Sequence, residues 1–283
     1  MAITAEDVKR LRDATGAGMM DCKKALMKSN GDFDAANKFL KEMGLAAIAK
    51  RQDRATNNGR VFVRVTDDKA VIVQLSCETD FVAGNAEFAQ LGENICTVVV
   101  EKGYTGINDE LNAMVNDLIT VIKENMALKQ VVVLPLGEHE FASSYVHGEG
   151  SLGVVVLFKT DNDALAKDPL VLEFANDCAL HVAAFTPSYF STSSVDPAYI
   201  AEQSEIFTAQ AALLGKPAKV VEGIVKGKLS KHLAEICFLE QKFVKDDSMT
   251  VEQKAKEVGK AAGGKLEISN FTYILAGSAS CEV

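Results

Sequence analysis

Two apolar strands that each close on Thr-Asp do most to limit what this chain can fold into. Ala70-Val71-Ile72-Val73-Gln74-Leu75-Ser76-Cys77-Glu78-Thr79-Asp80 resembles Leu152-Gly153-Val154-Val155-Val156-Leu157-Phe158-Lys159-Thr160-Asp161. Each leads into a helix that opens on Phe-Ala, at Phe88-Ala89 and Phe174-Ala175. The offset is 81 residues at Thr-Asp and 86 at Phe-Ala, so the second copy carries a five-residue insertion. A short internal duplication of this kind predicts two similar α+β subdomains; chance similarity of strand-then-helix patterns is the alternative.

The rest of the chain is arranged around these copies. At roughly 150 residues per domain, 283 residues suggest about two domains with appendages. Residues 1–54 read as a compact module of three short helices. Thr4 and Asp7 form a capping box, Thr15-Gly16-Ala17-Gly18 breaks the first helix, and Asn30-Gly31 stops the second. Met19, Cys22, Ala25 and Leu26 recur at helical spacing in the second, and Asp32 caps a third whose apolar face is Phe33, Ala36, Leu40 and Met43. Three such helices share only a thin core, which suits a docking module joined by the polar linker 53–59.

Residues 55–140 predict a hairpin (60–66 and 70–77), helices over 85–102 and 108–126, and a strand over 130–136. Residues 141–276 hold the second copy. Into it is inserted an antiparallel helical hairpin over 196–235, with Ile200, Phe207, Leu213 and Leu214 facing Val220, Ile224, Leu229 and Leu233.

Charge narrows the list of partners. The chain carries 30 Lys+Arg against 39 Asp+Glu, a net of −9. Residues 1–54 hold 11 against 8, so a basic module of +3 is attached to a body of −12. Phosphate binding needs a concentrated positive field, so nucleic acid is not expected as a direct partner. The start lacks a cationic and apolar leader, and the apolar runs at Val131–Leu136 and Val154–Phe158 are too short for a bilayer. Six cysteines without a Cys-x-x-Cys pair suit reduced thiols and a cytoplasmic location.

Signatures of bond-making chemistry are absent from the sequence. Gly223-Ile224-Val225-Lys226-Gly227-Lys228 has one spacer too few for a phosphate loop and lies in a helical pattern. His139, His147, His181 and His232 show no metal-ligand spacing, so neither metal nor cofactor is expected. Cys77 near Asp80 has no nearby histidine and reads as a buried strand cysteine.

What stands out is Thr79-Asp80-Phe81-Val82-Ala83-Gly84-Asn85, where a strand ends and a helix is due. One reading is structural: Asp80 caps the helix and Phe81 packs beneath it as a staple. The other makes Phe81 an aromatic anchor projecting toward a partner, with Asp80 aimed alongside it. Spacing alone favours the first.

Longer motifs bear on that choice. Leu11-Arg12 followed by Thr15-Gly16-Ala17-Gly18-Met19-Met20-Asp21-Cys22-Lys23-Lys24-Ala25-Leu26 closely resembles the opening signature of the elongation factor Ts family. Asn30-Gly31-Asp32, Thr79-Asp80-Phe81-Val82-Ala83, His147-Gly148 and His181-Val182-Ala183-Ala184 match later landmarks in order. The resemblance covers essentially the whole chain and weakens after about residue 240.

It implies a non-enzymatic guanine-nucleotide exchange factor for the GTPase elongation factor Tu. The implied fold is α+β: an N-terminal ubiquitin-associated-like three-helix module, two similar core subdomains, and a coiled-coil insertion used in dimerisation or partner contact. The implied contacts are Arg12, Met19, Met20, Lys23 and His147, with Thr79, Asp80, Phe81 and Val82 dislodging the partner's Mg²⁺. Two departures stand out. Ile122-Lys123-Glu124-Asn125 replaces the family's Ile-Gly-Glu-Asn, and 272–283 lacks the charged helical tail of longer relatives. The rival class is an adaptor that merely tethers or chaperones its partner, with a hydrolase a distant third.

Overall fold

The computed structural model describes residues 3–278, apart from the side chains at positions 45 and 47. The last part of segment 272–283 therefore lies outside the described residues.

Three helices come first: α1 (Ala5–Thr15), α2 (Met19–Lys28) and α3 (Phe33–Ala49). Thr4 Oγ1 accepts from the Asp7 N–H at 3.1 Å while Asp7 accepts from the Thr4 N–H at 3.0 Å, so the capping box is complete. Gly16 ends α1 at φ +68°, a left-handed position that a side chain would strain. Asp32 caps α3 by accepting from the Ala35 N–H at 2.8 Å. The shared core is small, consisting of Val8, Leu11, Cys22, Ala25, Leu26 and Ala36.

Two three-stranded antiparallel sheets follow one plan. In the first, β2 (Lys69–Cys77) runs between β1 (Asn58–Val65) and β3 (Met126–Pro135), with α4 (Asp80–Ala83), α5 (Ala86–Lys102) and α6 (Asp109–Ile122) between β2 and β3 in sequence. In the second, β5 (Leu152–Thr160) runs between β4 (Glu140–His147) and β8 (Leu266–Leu275). Between β5 and β8 lie α7 (Pro169–Phe185), α8 (Pro197–Ala212), α9 (Ala218–Ile236), the small ribbon β6 (Lys242–Phe243) and β7 (Asp246–Thr250), and α10 (Val251–Ala261). The Thr-Asp strands are thus the central strand of each sheet.

The central strands are buried on both faces. Val71, Val73, Leu75 and Cys77 of β2 pack with Phe88, Ile95 and other residues of α5 and α6. Ala70 and Ile72 point the other way and meet Val155 and Leu157 of β5. Val154, Val156 and Phe158 of β5 face Phe174, Cys178 and Val182 of α7. The order of layers is helices, sheet, sheet, helices, which explains why both strands read as continuous apolar runs. A Cβ on Gly153 would stand 2.5 Å from Val61 Cγ1, so the close approach of the sheets needs glycine there.

Several expectations need correction. Helix α6 stops at Ile122, four residues early, because Lys123 takes φ +66° and breaks the helical ladder, and β3 starts at Met126. Strand β4 has no counterpart in the sequence reading: its Ser143-Ser144 interrupts the apolar pattern, and it lies on a sheet edge. The linker is shorter than 53–59, since β1 begins at Asn58. Along α8 and α9, Leu213, Leu214 and Val220 are exposed instead of facing one another, because α8 ends at Ala212 and 213–217 form the turn. Leu233 is buried as expected, together with Ala211 and Val225, which the stripe did not include.

The first three helices are not loosely tethered. α3 packs on α6, Ile48 reaches the first-sheet core, and Lys123 Nζ pairs with Asp21 at 3.0 Å.

His181 of the His-Val-Ala-Ala motif is fully buried on α7. Its Nδ1 accepts from the Val244 N–H at 3.2 Å, which leaves Nε2 as the donor to Gln241 Oε1 at 2.9 Å. Burial holds its pKa below the ordinary 6.5. An unfolded chain takes up this proton below about pH 6.5 while the folded chain resists it, so stability present above that pH is lost as the pH falls toward the lowered value. Denaturant melts between pH 7.5 and 5 are expected to show this decline, with a shallower slope in His181→Leu even though that variant starts less stable.

Candidate functional site

β2 delivers the chain at Cys77 to the one-turn helix α4. Thr79 is extended, at φ −121° and ψ 157°, and its Oγ1 accepts from the Val82 N–H at 3.3 Å. The cap is therefore Thr79, whereas Asp80 is the first helical residue and accepts from the Phe81 N–H at 3.0 Å. Val82 is 7% exposed and packs in the first-sheet core. Neighbouring helical positions point about 100° apart, so anchoring Val82 inward turns Phe81 outward.

Phe81 is 86% exposed, which overturns the staple reading. Of the four residues in this segment, Asp80 and Phe81 face solvent. Val82 is a buried anchor, not a surface contact, and Thr79 is a half-buried cap.

The α6–β3 turn, unremarked as a support in the sequence, closes over Thr79. Glu124 accepts from the Thr79 N–H at 3.2 Å and from its hydroxyl at 2.9 Å. Asn125 Nδ2 donates to the Arg54 carbonyl at 2.7 Å, and the Asn125 N–H donates to Glu78 at 2.6 Å. Glu78 also pairs with Arg54 at 3.3 Å. Sequence separations of 24 and more hid these partners.

A second group lies where α1 passes into α2. Arg12, Met19, Met20 and Lys23 are all exposed. Met19 is 44% exposed and Met20 74%, so Met19, although it shares the helical spacing of Cys22, Ala25 and Leu26, does not lie in the module's core. Cys22, Ala25 and Leu26 fill that core, and the start of α2 turns its two methionines outward. His147 ends β4 and is also exposed, with Nδ1 3.0 Å from the Tyr145 hydroxyl. The Gly150 and Ser151 N–H groups donate to its carbonyl at 3.1 Å, and Gly150 O accepts from the Val61 N–H at 2.8 Å.

The structure links the first two groups through one turn: Glu124 holds Thr79, and Lys123 holds Asp21 of α2. No hydrogen bond or ion pair among the described residues joins His147 to either group.

Cys77 is no nucleophile. Burial, helped by the Glu124 charge, pushes its thiol up to about 11. Among the described residues, no group of three or more His, Cys, Asp or Glu side chains is placed to hold a metal. No described helix is long and apolar enough to cross a membrane.

Exposed aromatic, methionine and arginine side chains on rigid supports are the chemistry of protein–protein recognition. Comparison with known proteins gives that class a family. The model of the family described as elongation factor TS matches residues 78–278. An elongation factor Ts of Treponema denticola is 50% identical over 277 residues, covering 98% of this chain and 99% of its own. That of Treponema pallidum is 48% identical over 280 residues, covering 95% and 97%, and that of Borrelia recurrentis is 44% identical over 278, covering 98% and 100%. The chain belongs to the elongation factor Ts family of translation elongation factors.

The burial difference within α4 can be tested directly. Phe81→Ala is expected to change stability by no more than about 0.5 kcal/mol, as for an exposed substitution. Val82→Ala is expected to cost about 2 kcal/mol. Denaturant melts of the two variants check both values.

Proposed function

We propose that this chain promotes exchange of GDP for GTP on elongation factor Tu by inserting Phe81 beside the partner's nucleotide site. The observation that carries this reading is the solvent-exposed Phe81 ring on a one-turn helix fastened at both ends. Residues 1–54 act as the docking unit through Arg12, Met19, Met20 and Lys23, and His147 adds a contact from the body. The first three helices stand in for the ubiquitin-associated-like module of the family. The exposed Leu213, Leu214 and Val220 support reading the α8–α9 pair as a further contact, either with the partner or with a second copy of this chain.

The mechanism follows from linkage. A GTPase holds GDP through phosphate contacts and a bridging Mg²⁺, the largest positive charge in that site. A ring wedged against the loops that hold the ion, with the Asp80 carboxylate next to it, favours the arrangement from which Mg²⁺ leaves. Factor and nucleotide then weaken each other's binding by the same ratio. The ternary complex loses either ligand quickly, and GTP in excess completes the exchange. No bond is made or broken, and this chain needs no cofactor of its own.

Release of fluorescent GDP from elongation factor Tu tests the reading. At saturating factor, Phe81→Ala is expected to slow release by about a hundredfold or less, the scale of losing one well-placed group. Lys23→Glu is expected to raise the half-saturating concentration, more at low than at high salt, because an exposed ionic contact is screened. A chain that only tethers its partner would leave release unaccelerated, and normal release by Phe81→Ala would remove the wedge.

A further inference from the structure

A single turn of helix cannot hold itself. Forming the first turn fixes several residues for one hydrogen bond, so α4 persists only if its ends are pinned from outside. At its C-terminal end Val82 is sunk in the core, and Asn85 caps the next helix by accepting from the Glu87 N–H at 2.7 Å. At its N-terminal end the pin is Thr79, whose hydroxyl oxygen must point at the Val82 N–H to cap the turn. A freely rotating hydroxyl would spend part of its time elsewhere.

Glu124 removes that freedom. Its carboxylate lies 2.9 and 3.0 Å from Thr79 Oγ1 and 3.2 Å from the Thr79 nitrogen. The hydroxyl therefore donates to Glu124 and keeps its lone pairs for the Val82 N–H. A charged acceptor makes the stronger kind of hydrogen bond. Glu124 is itself fixed by its neighbours: Lys123 closes α6, its N–H donating to the Ile119 carbonyl at 2.9 Å, and Asn125 is tied to the carbonyl of Arg54.

We infer that Glu124 is the positioning residue of the Phe81 turn: it touches neither nucleotide nor partner, and acts by holding Thr79 so that α4 presents Phe81 in one orientation. This rests on the reading of Phe81 as the wedge. Its physical basis is that a ring already held in its bound orientation loses less freedom on insertion than one on a fraying turn. The same turn carries Lys123, paired with Asp21 on the helix that bears Met19 and Met20. Orientation of the wedge and placement of the docking surface thus share one support.

The test uses the full chain and elongation factor Tu loaded with fluorescent GDP. Release is followed against factor concentration for the unmodified chain, Glu124→Ala, Phe81→Ala and the double variant. Glu124→Ala is expected to lower the saturating release rate about tenfold, the scale of a modest misplacement, and to leave the half-saturating concentration within about twofold. In the Phe81→Ala background it is expected to add nothing, since its effect passes through the ring. Amide hydrogen exchange should speed up at Thr79 and Val82 and stay unchanged along β2, which shows that the sheet remains folded.

Should Glu124→Ala not fold, Glu124→Gln carries the same cycle, with release about threefold slower because one acceptor oxygen remains. Slow release by Phe81→Ala with normal release by the Glu124 variant overturns the role of Glu124 alone. Equal slowing by the Glu124 variant in both backgrounds overturns it too, because the effect would then not pass through Phe81. Normal release by Phe81→Ala overturns the wedge and this role with it.

Discussion

The contact between the two sheets is the constraint on which the rest of the structure depends. Val61, Ala70 and Ile72 on one side meet Val155, Leu157 and Ile274 on the other. Because β2 and β5 give one face to this contact, their other faces must be covered by helices, α5 and α6 on one side and α7 and α10 on the other. An apolar strand left open on either face would expose a patch that invites association. Both central strands then end at a layered edge; β2 turns sharply into α4 at Asp80, whereas β5 reaches α7 only at Pro169. The Phe81 turn sits at one of these exits, on a strand that is buried along almost its whole length.

Rigidity at this exit comes from polar contacts of modest individual strength. Exposed ion pairs such as Lys123–Asp21 contribute little, about 0 to 1 kcal/mol. What they do together is limit the number of arrangements. Glu78, Thr79, Glu124 and Asn125 tie the end of β2, the α6–β3 turn and the carbonyl of Arg54 into one assembly. Lys123 extends it to α2. Lys123 itself sits in the left-handed region, at φ +66°. That conformation is unfavourable for a lysine, and the side chain gains the contact with Asp21 that glycine could not make.

Much of the fold was legible in local chemistry. The Thr4–Asp7 box, the Gly16 break and the Asp32 cap depend on residues within three or four positions of one another, and all three stand where the sequence places them. The central strands were visible because burial on both faces leaves a run of apolar residues. Strand β4 was not: Ser144 faces solvent and Ser143, although buried, is satisfied by Asn176 Oδ1 at 2.9 Å, so neither leaves an apolar pattern. The end of α6 was missed because a lysine at φ +66° carries no punctuation of the kind glycine does. The facing stripe on α8 and α9 failed at Leu213, Leu214 and Val220 because periodicity does not say where a helix stops.

At the site, the sequence by itself determined which residue types were available: an aromatic after Thr-Asp at a strand end, paired methionines after a glycine break, and cations beside them. These are short-range features, and their pattern also carries the family. It left the direction of Phe81 open, because a staple and an exposed anchor share one spacing. Tertiary structure decided that point. The core takes Val82, and the helical turn then forces its neighbour outward. Tertiary structure alone also brought Glu124 to Thr79, a contact between residues 45 positions apart. No local pattern encodes such a partner, because the distance is closed by the packing of α5 and α6 on the sheet and by the return of the chain along β3.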